Sequence, residues 1–285
     1  MHLRTGIPLI REVDELIKTE TYRRHTSFNR EFLRKHGPAM ERYGRQWGMD
    51  PFKLWSRRWE YPFAAQRVIN FAERRGSAGP LKILDAGSGV TYFPYFLCEN
   101  LPQASVICCD YNPSYRQMFD EINAARNKPP VGFIDAALQE LPLDEDTLDA
   151  VCCISVLEHT ENYEQIIDEF ARVLRPGGLL VLTFDLSLDG RFTLRRDVAE
   201  RLLQLLARKF VSDDALDRPA ELGKMTSMAG EILSTDYVRA TQPELLPWTR
   251  PVKVVKAMQD LLKGYGWTGG FRSRTIYCLD VRLPS

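Results

Sequence analysis

Between residues 81 and 186 the sequence alternates short apolar runs with amphipathic stretches, and this alternation strongly restricts the folds open to the chain. Five apolar runs predict buried strands: Leu81–Ala86, Ser105–Tyr111, Val131–Ala136, Asp149–Leu157 and Gly178–Leu186. The stretches between them carry apolar residues at helical spacing, most clearly over Glu161–Arg175. Strands that alternate with helices predict parallel βαβ units. We therefore expect an α/β fold with a doubly wound sheet.

The segments on either side of this region differ from it in composition. Residues 1–77 are rich in charged and aromatic side chains, whereas the residues after Leu186 are mixed and end on one apolar run. We therefore divide the chain into four parts: an N-terminal helical, aromatic-rich extension or cap (1–77), a core (78–186), a helical insertion or lid (187–270) and a final strand of the core sheet (271–285).

The insertion is inferred from its length. About eighty residues separate the fifth apolar strand from the last one, Thr275–Leu283, and a connection within a sheet needs far fewer. Two stretches within it, Leu194–Phe210 and Val252–Tyr265, have helical patterns. We interpret much of this segment as an insertion or lid.

The overall composition excludes several classes of protein. The chain has 285 residues, 44% of them apolar and 27% charged, and 38 basic side chains balance 38 acidic ones. These values are ordinary for a globular protein and argue against a disordered chain, a disulfide scaffold or a strongly basic nucleic-acid binder. The longest apolar stretch, Ala150–Leu157, is too short to span a bilayer, and the first twenty residues lack a signal-peptide pattern.

The six cysteines do not form a metal or disulfide pattern. No two of them have CxxC spacing, and the pairs Cys108-Cys109 and Cys152-Cys153 lie on predicted strands. Neighbouring side chains on a strand point to opposite faces, so such pairs make poor disulfides or zinc ligands. We expect reduced core cysteines, no metal site and a cytoplasmic protein.

The zero net charge conceals two polarised segments. Glu20–Phe63 holds ten basic and five acidic residues together with ten aromatic ones, while Pro129–Ala171 holds eleven acidic residues and no basic one. The aromatic segment fits a helical layer packed on the core. It also fits a cover over the active site that supplies an aromatic wall and arginines for an anionic group, with Trp248 contributing from the insertion. RNA binding is a third interpretation, which the small excess of five charges disfavours.

A glycine turn follows the first predicted strand, in the sequence Asp85-Ala-Gly87-Ser-Gly89. Glycines at such a turn let a ligand approach the backbone closely. The second strand ends at Asp110, 21 residues after Gly89, where a carboxylate can accept hydrogen bonds from both ribose hydroxyls. The third strand ends at Asp135-Ala136, which suits an adenine amino group. The series predicts a nucleoside site at the carboxyl edge of the sheet.

The turn favours S-adenosylmethionine over a dinucleotide. A dinucleotide fingerprint continues to a third glycine or alanine, whereas this chain has Tyr92 at that position. Asp85 would also lie unfavourably near a pyrophosphate. S-adenosylmethionine has no phosphate, and its ammonium and sulfonium groups favour nearby carboxylates and carbonyls.

At these positions the chain resembles the class I S-adenosylmethionine-dependent methyltransferases, in particular the small-molecule group with the methyltransferase type 11 pattern. Five segments carry the resemblance in order: Ile83–Gly89, Cys109-Asp110, Asp135-Ala136 with Leu141–Leu143, Asp149–His159, and Leu174–Gly178 with the apolar run after it. The resemblance implies a Rossmann-like sheet of seven strands whose last strand is antiparallel. The chain departs from the pattern at Thr91, where the family often has a third glycine.

The resemblance also implies residue roles. Asp85 would hold the methionine end through water, the backbone at Gly87 and Gly89 would approach the cofactor, and Asp110 would bind the ribose. The remaining predicted cofactor contacts are Asp135 and Ala136 at the adenine, Ser155 after the fourth strand, and Tyr111.

His159 is the predicted general base. It follows the fourth strand at the mouth of the predicted site, and an oxygen acceptor must lose its proton, a task that suits an imidazole near neutral pH. A structural or helix-capping role for the Glu158-His159 pair is the alternative, and Glu158 and Asp185 are further candidate bases. An amine acceptor would need no strong base.

These observations predict an S-adenosylmethionine-dependent methyltransferase that acts on an O or N atom of a small biosynthetic molecule. The alternatives are an RNA or protein methyltransferase and a non-catalytic, S-adenosylmethionine-binding regulatory protein. The turn sequence disfavours an NAD-type dehydrogenase. The sequence specifies neither the acceptor nor the oligomeric state.

Overall fold

A six-stranded sheet forms the centre of the protein. The computed structural model describes residues 1–76, 79–191, 194–212, 218–246, 254–255, 257–258, 261–262 and 271–285. The strands are β1 (Leu81–Ala86), β2 (Ala104–Asp110), β3 (Gly132–Asp135), β4 (Leu148–Ile154), β5 (Leu174–Ser187) and β6 (Arg274–Arg282). Their order is β3-β2-β1-β4-β5-β6, with β6 antiparallel to β5 and all other pairs parallel. The predicted doubly wound sheet with an antiparallel last strand is confirmed.

The expected seventh strand does not occur among the described residues, and on this point the prediction was wrong. The outer edge of β6 is met instead by single-residue bridges at Gly6 and Val211. The Gly6 amide donates to the Cys278 carbonyl at 2.7 Å, and the Cys278 amide donates back at 3.0 Å. Val211 exchanges the same two bonds with Arg282. These bridges pair edge groups that would otherwise be exposed.

The entry to β5 also differs from expectation. The pattern predicts a helix to Arg175 and a strand from Gly178, but the strand begins at Leu174. Leu174 pairs with Leu148 and Leu179 with Ala150, so β5 carries a bulge between these two pairs. Pro176 lies within the bulge, where its missing N–H removes no regular sheet hydrogen bond.

Helices cover both faces of the sheet. Before the sheet come α1 (Ile10–Leu16), α2 (Glu20–His36), α3 (Glu41–Trp47) and α4 (Arg57–Arg75); the later helices are α5 (Phe93–Asn100), α6 (Tyr115–Ala124), α7 (Tyr163–Val173), α8 (Arg196–Lys209), α9 (Arg218–Ser227) and α10 (Thr235–Thr241). Buried side chains of α2, α4, α5 and α6 form one apolar cluster with one face of the sheet. Those of α7 and α8 form a second cluster on the other face.

The paired cysteines divide between these two clusters. Cys108 and Cys152 belong to the first, and Cys109 and Cys153 to the second. All six cysteines of the chain are free thiols. The side-chain alternation inferred from the sequence is therefore confirmed.

The aromatic N-terminal segment forms a layer against the core. Trp59 and Phe63 on α4 are fully buried in the first cluster. Tyr92 at the start of α5 lies at the centre of this contact, with Phe28, Phe52 and Tyr61 packed around it. The N-terminal helices and the sheet share one apolar cluster, so they do not have separate hydrophobic cores. The predicted division of the chain into four parts therefore stays a prediction.

Two predicted features of the insertion lie largely outside the residues that the structure describes. The helix predicted over Val252–Tyr265 is described at residues 254–255, 257–258 and 261–262, which are helical. Trp248 lies outside the described residues. No helix in the part of the chain that the structure describes has the length and apolar character needed to cross a membrane.

His25 on α2 is expected to make the stability of the fold sensitive to acid. Its Nδ1 atom lies 2.8 Å from the Tyr92 hydroxyl, its ring stacks on Phe96, and burial, followed by the charge of Arg24, lowers its pKa from 6.5 to about 3. Unfolding frees the imidazole to take a proton below its ordinary pKa, so this contribution is complete above pH 6.5 and is lost as the pH falls. Between pH ~7.5 and ~5 we expect a loss of about 2 kcal/mol of unfolding free energy from this residue.

Urea denaturation at several pH values measures this effect. His25→Gln should flatten the fall in stability below pH ~6.5, whereas His2→Gln, at an exposed position, should leave it unchanged. Equal slopes for the wild type and His25→Gln would show that this imidazole does not control the acid response.

Candidate cofactor and acceptor site

The glycine turn after β1 is closely covered by other side chains. Gly87 and Gly89 have φ angles of +69° and +53°. A Cβ atom on Gly87 would lie 2.5 Å from Val156 Cγ2, and one on Gly89 would lie 2.5 Å from the Tyr43 hydroxyl. Both the backbone conformation and the available space therefore require glycine at these positions.

Asp110 fastens this turn to the end of β2. Its Oδ2 atom accepts a hydrogen bond from the Gly89 amide at 3.0 Å, and its Oδ1 atom accepts one from the Asn112 amide at 3.2 Å. The Gly87 and Ser88 amides both donate to the Cys109 carbonyl. The structure thus brings the first two predicted motifs into direct contact.

The predicted adenine-side residues lie next to Asp110. Asp135 is its register partner on β3, and the Ala136 amide donates to the Asp110 carbonyl at 3.3 Å. Asp135 is exposed, and Tyr111 is 76% exposed. The strand ends that the sequence assigned to one nucleoside site therefore form a continuous edge.

Two carboxyl groups, those of Asp85 and Asp110, lie close together at the turn. Asp85 is buried, and burial together with the negative charge of Asp110 raises its pKa to about 7. Burial also raises the pKa of Asp110, although backbone amides that hydrogen bond to it act in the opposite direction. Neither carboxyl group forms an ion pair with a cationic side chain of the described residues, and such a pair of buried carboxyl groups suits a ligand that brings positive charge and hydroxyl donors. The residues present fit S-adenosylmethionine on this ground.

The N-terminal helices contribute aromatic side chains above the turn. Tyr43 packs edge-on against Tyr115, whose hydroxyl accepts a hydrogen bond from Trp47 Nε1 at 3.0 Å. Tyr61 is buried beside Asp85, and burial raises the pKa of its hydroxyl to about 12. These contacts support the interpretation in which the aromatic segment covers the site.

Glu60 on α4 is the buried centre of a hydrogen-bond network at the carboxyl ends of β4 and β5. Its Oε1 atom accepts from the Ser155 and Thr183 hydroxyls, each at 2.6 Å, and its Oε2 atom accepts from Arg57 Nη1 at 2.5 Å. Arg57 Nη1 also lies 2.5 Å from Ser155 Oγ. Ser155, which the sequence assigned to the cofactor, directs its hydroxyl to Glu60.

This network is charged despite its burial. Burial alone would raise the pKa of Glu60, but Arg57 and the two hydroxyl donors outweigh it and hold that pKa below its ordinary value. Burial likewise opposes the charge on Arg57, and the nearby carboxylates, Glu60 first, raise the guanidinium pKa above its ordinary value. The two side chains form an ion pair in which Glu60 is fully buried and 21% of the Arg57 side chain is exposed.

Two of the three predicted candidate bases, Glu158 and Asp185, lie close enough to Arg57 to raise its pKa. Glu158 and His159 belong to one 3₁₀ turn, Leu157–His159, directly after β4. Glu158 is partly exposed as a residue but has a buried Oε2 atom, whereas His159 is exposed. Asp185 near the end of β5 accepts from Arg274 Nη1 at 2.5 Å. The structure does not assign the base, so the role of His159 stays a prediction.

Sequence reasoning missed Glu60, Arg57 and Tyr43 as individual site residues. A signal for Glu60 was present, since it is the only charged residue of the run Trp59–Ala65. A carboxylate inside such a run is buried and therefore needs a partner. Within the described residues, no group of three histidine, cysteine or acidic side chains is arranged to hold a metal ion.

Comparison with known proteins supports the interpretation of the core. A family model described as a methyltransferase domain matches residues 84–182. The chain is 33% identical over 130 residues to the demethylmenaquinone methyltransferase of Thermus thermophilus, covering 45% of this chain and 57% of that protein. It is 31% identical over 114 residues to the tRNA N(3)-cytidine methyltransferase METTL2 of Danio rerio, covering 38% of this chain and 32% of that protein.

A solved structure has the same fold. A putative sarcosine dimethylglycine methyltransferase from Galdieria sulphuraria matches with a TM-score of 0.50 and 16% identity, over 78% of this chain and 85% of that one. Residues 84–182 therefore match a methyltransferase domain, and the solved structure shows that the fold is shared. The chain spans between a third and somewhat more than half of the two curated relatives named above, and the family model does not include α1–α4.

Proposed function

We propose that the chain is an S-adenosylmethionine-dependent methyltransferase that acts on an O or N atom of a small molecule. The observation that carries the proposal is the hydrogen bond from the Gly89 amide to Asp110, which joins the glycine turn to the predicted ribose-binding carboxylate above the buried Asp85. When bound, the cofactor supplies a methyl group activated by its sulfonium. Asp110 would orient the ribose, and Asp135 and Ala136 would line the adenine end.

The residues around the strand ends support a small acceptor. Arg57, Glu60 and Tyr43 from the N-terminal helices cover the edge of the sheet where an acceptor must meet the methyl group. Such a covered site positions a small acceptor and restricts water, and positioning accounts for much of the acceleration in a methyl transfer. A proton lost by the acceptor would pass to Glu158, Asp185 or His159.

RNA as the acceptor is the second candidate, since one relative is named as a tRNA methyltransferase. Four of the exposed basic residues of α2 and α3 weigh against it. Arg23, Arg34, Lys35 and Arg45 each lie within ion-pair distance of a glutamate on their own helix. These pairs reduce the positive charge available to a phosphate backbone.

We further infer a cytoplasmic location for this protein. All six cysteines are free thiols, and the cytoplasm keeps thiols reduced.

Calorimetry with S-adenosylmethionine and its demethylated product, S-adenosylhomocysteine, tests the function. We expect both to bind in the micromolar range, with affinity that depends on Asp110. Absence of binding to either compound would refute the cofactor assignment. Bound RNA that is released by salt would favour the RNA alternative.

Cofactor binding is also expected to release a proton near neutral pH. Asp85 has a pKa of about 7, and a nearby positive charge favours its ionised form. Affinity should therefore rise as the pH increases through 7, and the binding heat at pH ~7 should differ between phosphate and Tris buffers. Asp85→Asn should abolish that difference. Equal heats in both buffers for the wild type would contradict the expectation.

A further inference from the structure

The carboxyl ends of β4 and β5 hold a charged cluster with one carboxyl group in excess. We call the set Arg57, Glu60, Glu158, Asp185 and Arg274 the strand-end cluster. It contains three carboxyl groups and two guanidinium groups. Glu60 is paired with Arg57, and Asp185 is paired with Arg274.

Glu158 is the third carboxyl group of the cluster and belongs to neither of these two ion pairs. Its Oε2 atom is buried and has no hydrogen-bond partner among the residues that the structure describes. Burial, followed by the negative charge of Asp185, raises the pKa of Glu158 well above its ordinary value, while Arg57 acts in the opposite direction. A buried acceptor without a partner is costly, so a ligand that offers N–H donors and positive charge would be bound favourably here.

We propose that the methyl acceptor is an amine, which binds as an ammonium ion with its N–H groups donating to Glu158. This inference rests on the proposed function and specifies its substrate class. An ammonium ion adds one positive charge and balances the three carboxylates of the strand-end cluster against three cations. A neutral alcohol brings no positive charge to favour the ionised form of Glu158, and an anionic acceptor would disfavour that form further.

Glu158 also provides a route for the proton that the acceptor must lose. An ammonium nitrogen has no free electron pair, so it becomes a nucleophile only after one N–H bond breaks. The proton passes to the Glu158 carboxylate, which becomes a carboxylic acid, and the N–H electron pair stays on the nitrogen of the neutral amine. Asp185 is held by Arg274 at 2.5 Å, which leaves Glu158 as the carboxylate available to receive the proton.

Thermal denaturation of the protein loaded with S-adenosylhomocysteine tests this proposal. The probes are methylammonium, ethylammonium and benzylammonium chlorides, compared with the matching alcohols and with sodium chloride at equal ionic strength. We expect at least one ammonium probe to raise Tm by about 2–4 °C at a concentration roughly tenfold above its Kd. The alcohols should give no such rise.

Two isosteric variants assign the effect to one side chain. Glu158→Gln should abolish the ammonium-dependent rise, while Glu161→Gln, at an exposed position three residues away, should retain it. Binding of S-adenosylhomocysteine to each variant shows that the cofactor site is intact. Glu158→Asp should restore part of the rise, because it restores the carboxylate.

Several outcomes would overturn the amine assignment. These are a rise with the alcohols equal to that with the ammonium ions, no rise with any ammonium probe, or an undiminished rise in Glu158→Gln. Failure of the wild type to bind S-adenosylhomocysteine is a different result, because it would refute the proposed function itself.

Discussion

Replacing Glu60 with alanine is expected to lower the free energy of unfolding by about 3–5 kcal/mol. The substitution leaves the guanidinium of Arg57 without its carboxylate and removes the acceptor of the Ser155 and Thr183 hydroxyls. Arg57 is only partly exposed, and a largely buried charge that loses its partner is strongly destabilising. Urea denaturation of the purified variant measures the loss.

Two further variants separate the ion pair from the rest of the helix. Glu73→Ala changes an exposed glutamate on the same helix, α4, and should alter stability by no more than about 0.5 kcal/mol. Glu60→Leu combined with Arg57→Met should be more stable than Glu60→Ala, since the Arg57 guanidinium is no longer left without its carboxylate. A Glu60→Ala protein as stable as Glu73→Ala would contradict the ion-pair interpretation.

Replacing Asp110 with alanine is expected to weaken S-adenosylmethionine binding by about 100-fold or more. The carboxylate is the predicted acceptor for two ribose hydroxyls, and each hydrogen bond to a charged group contributes about 1.5–3 kcal/mol. The substitution also removes the acceptor of the Gly89 amide, so the glycine turn should become less ordered. Calorimetric titration with the cofactor measures the change.

Asp110→Asn and Asp120→Ala serve as comparisons. Asn retains one side-chain acceptor oxygen in nearly the same place, so its loss of affinity should be smaller than that of alanine. Asp120 is exposed on α6, and its replacement should leave affinity unchanged. If Asp110→Ala bound the cofactor as tightly as Asp120→Ala, the ribose site would lie elsewhere.

Local patterns predicted the core of this protein well. The run Leu81–Ala86 matches β1 residue for residue, and Glu161–Arg175 contains all of α7. Such patterns succeed because a buried parallel strand must be apolar and a helix on the sheet must carry an apolar stripe. The seventh strand was predicted from the resemblance rather than from any apolar run of this chain, and the structure shows single bridges at Gly6 and Val211 in its place.

Local sequence patterns were sufficient to predict the fold class and the order of the strand-end residues, from Asp85 through Gly89 and Asp110 to Asp135. These positions are readable because parallel strands place their carboxyl ends at one edge, whatever the connections between them do. The strand-end cluster could not be predicted from local sequence patterns. Glu60 lies 95 residues from Ser155 and 123 from Thr183, so only tertiary packing of α4 against the sheet brings these groups together. That packing decides which carboxyl groups find partners and leaves Glu158 Oε2 without one in the described part of the chain.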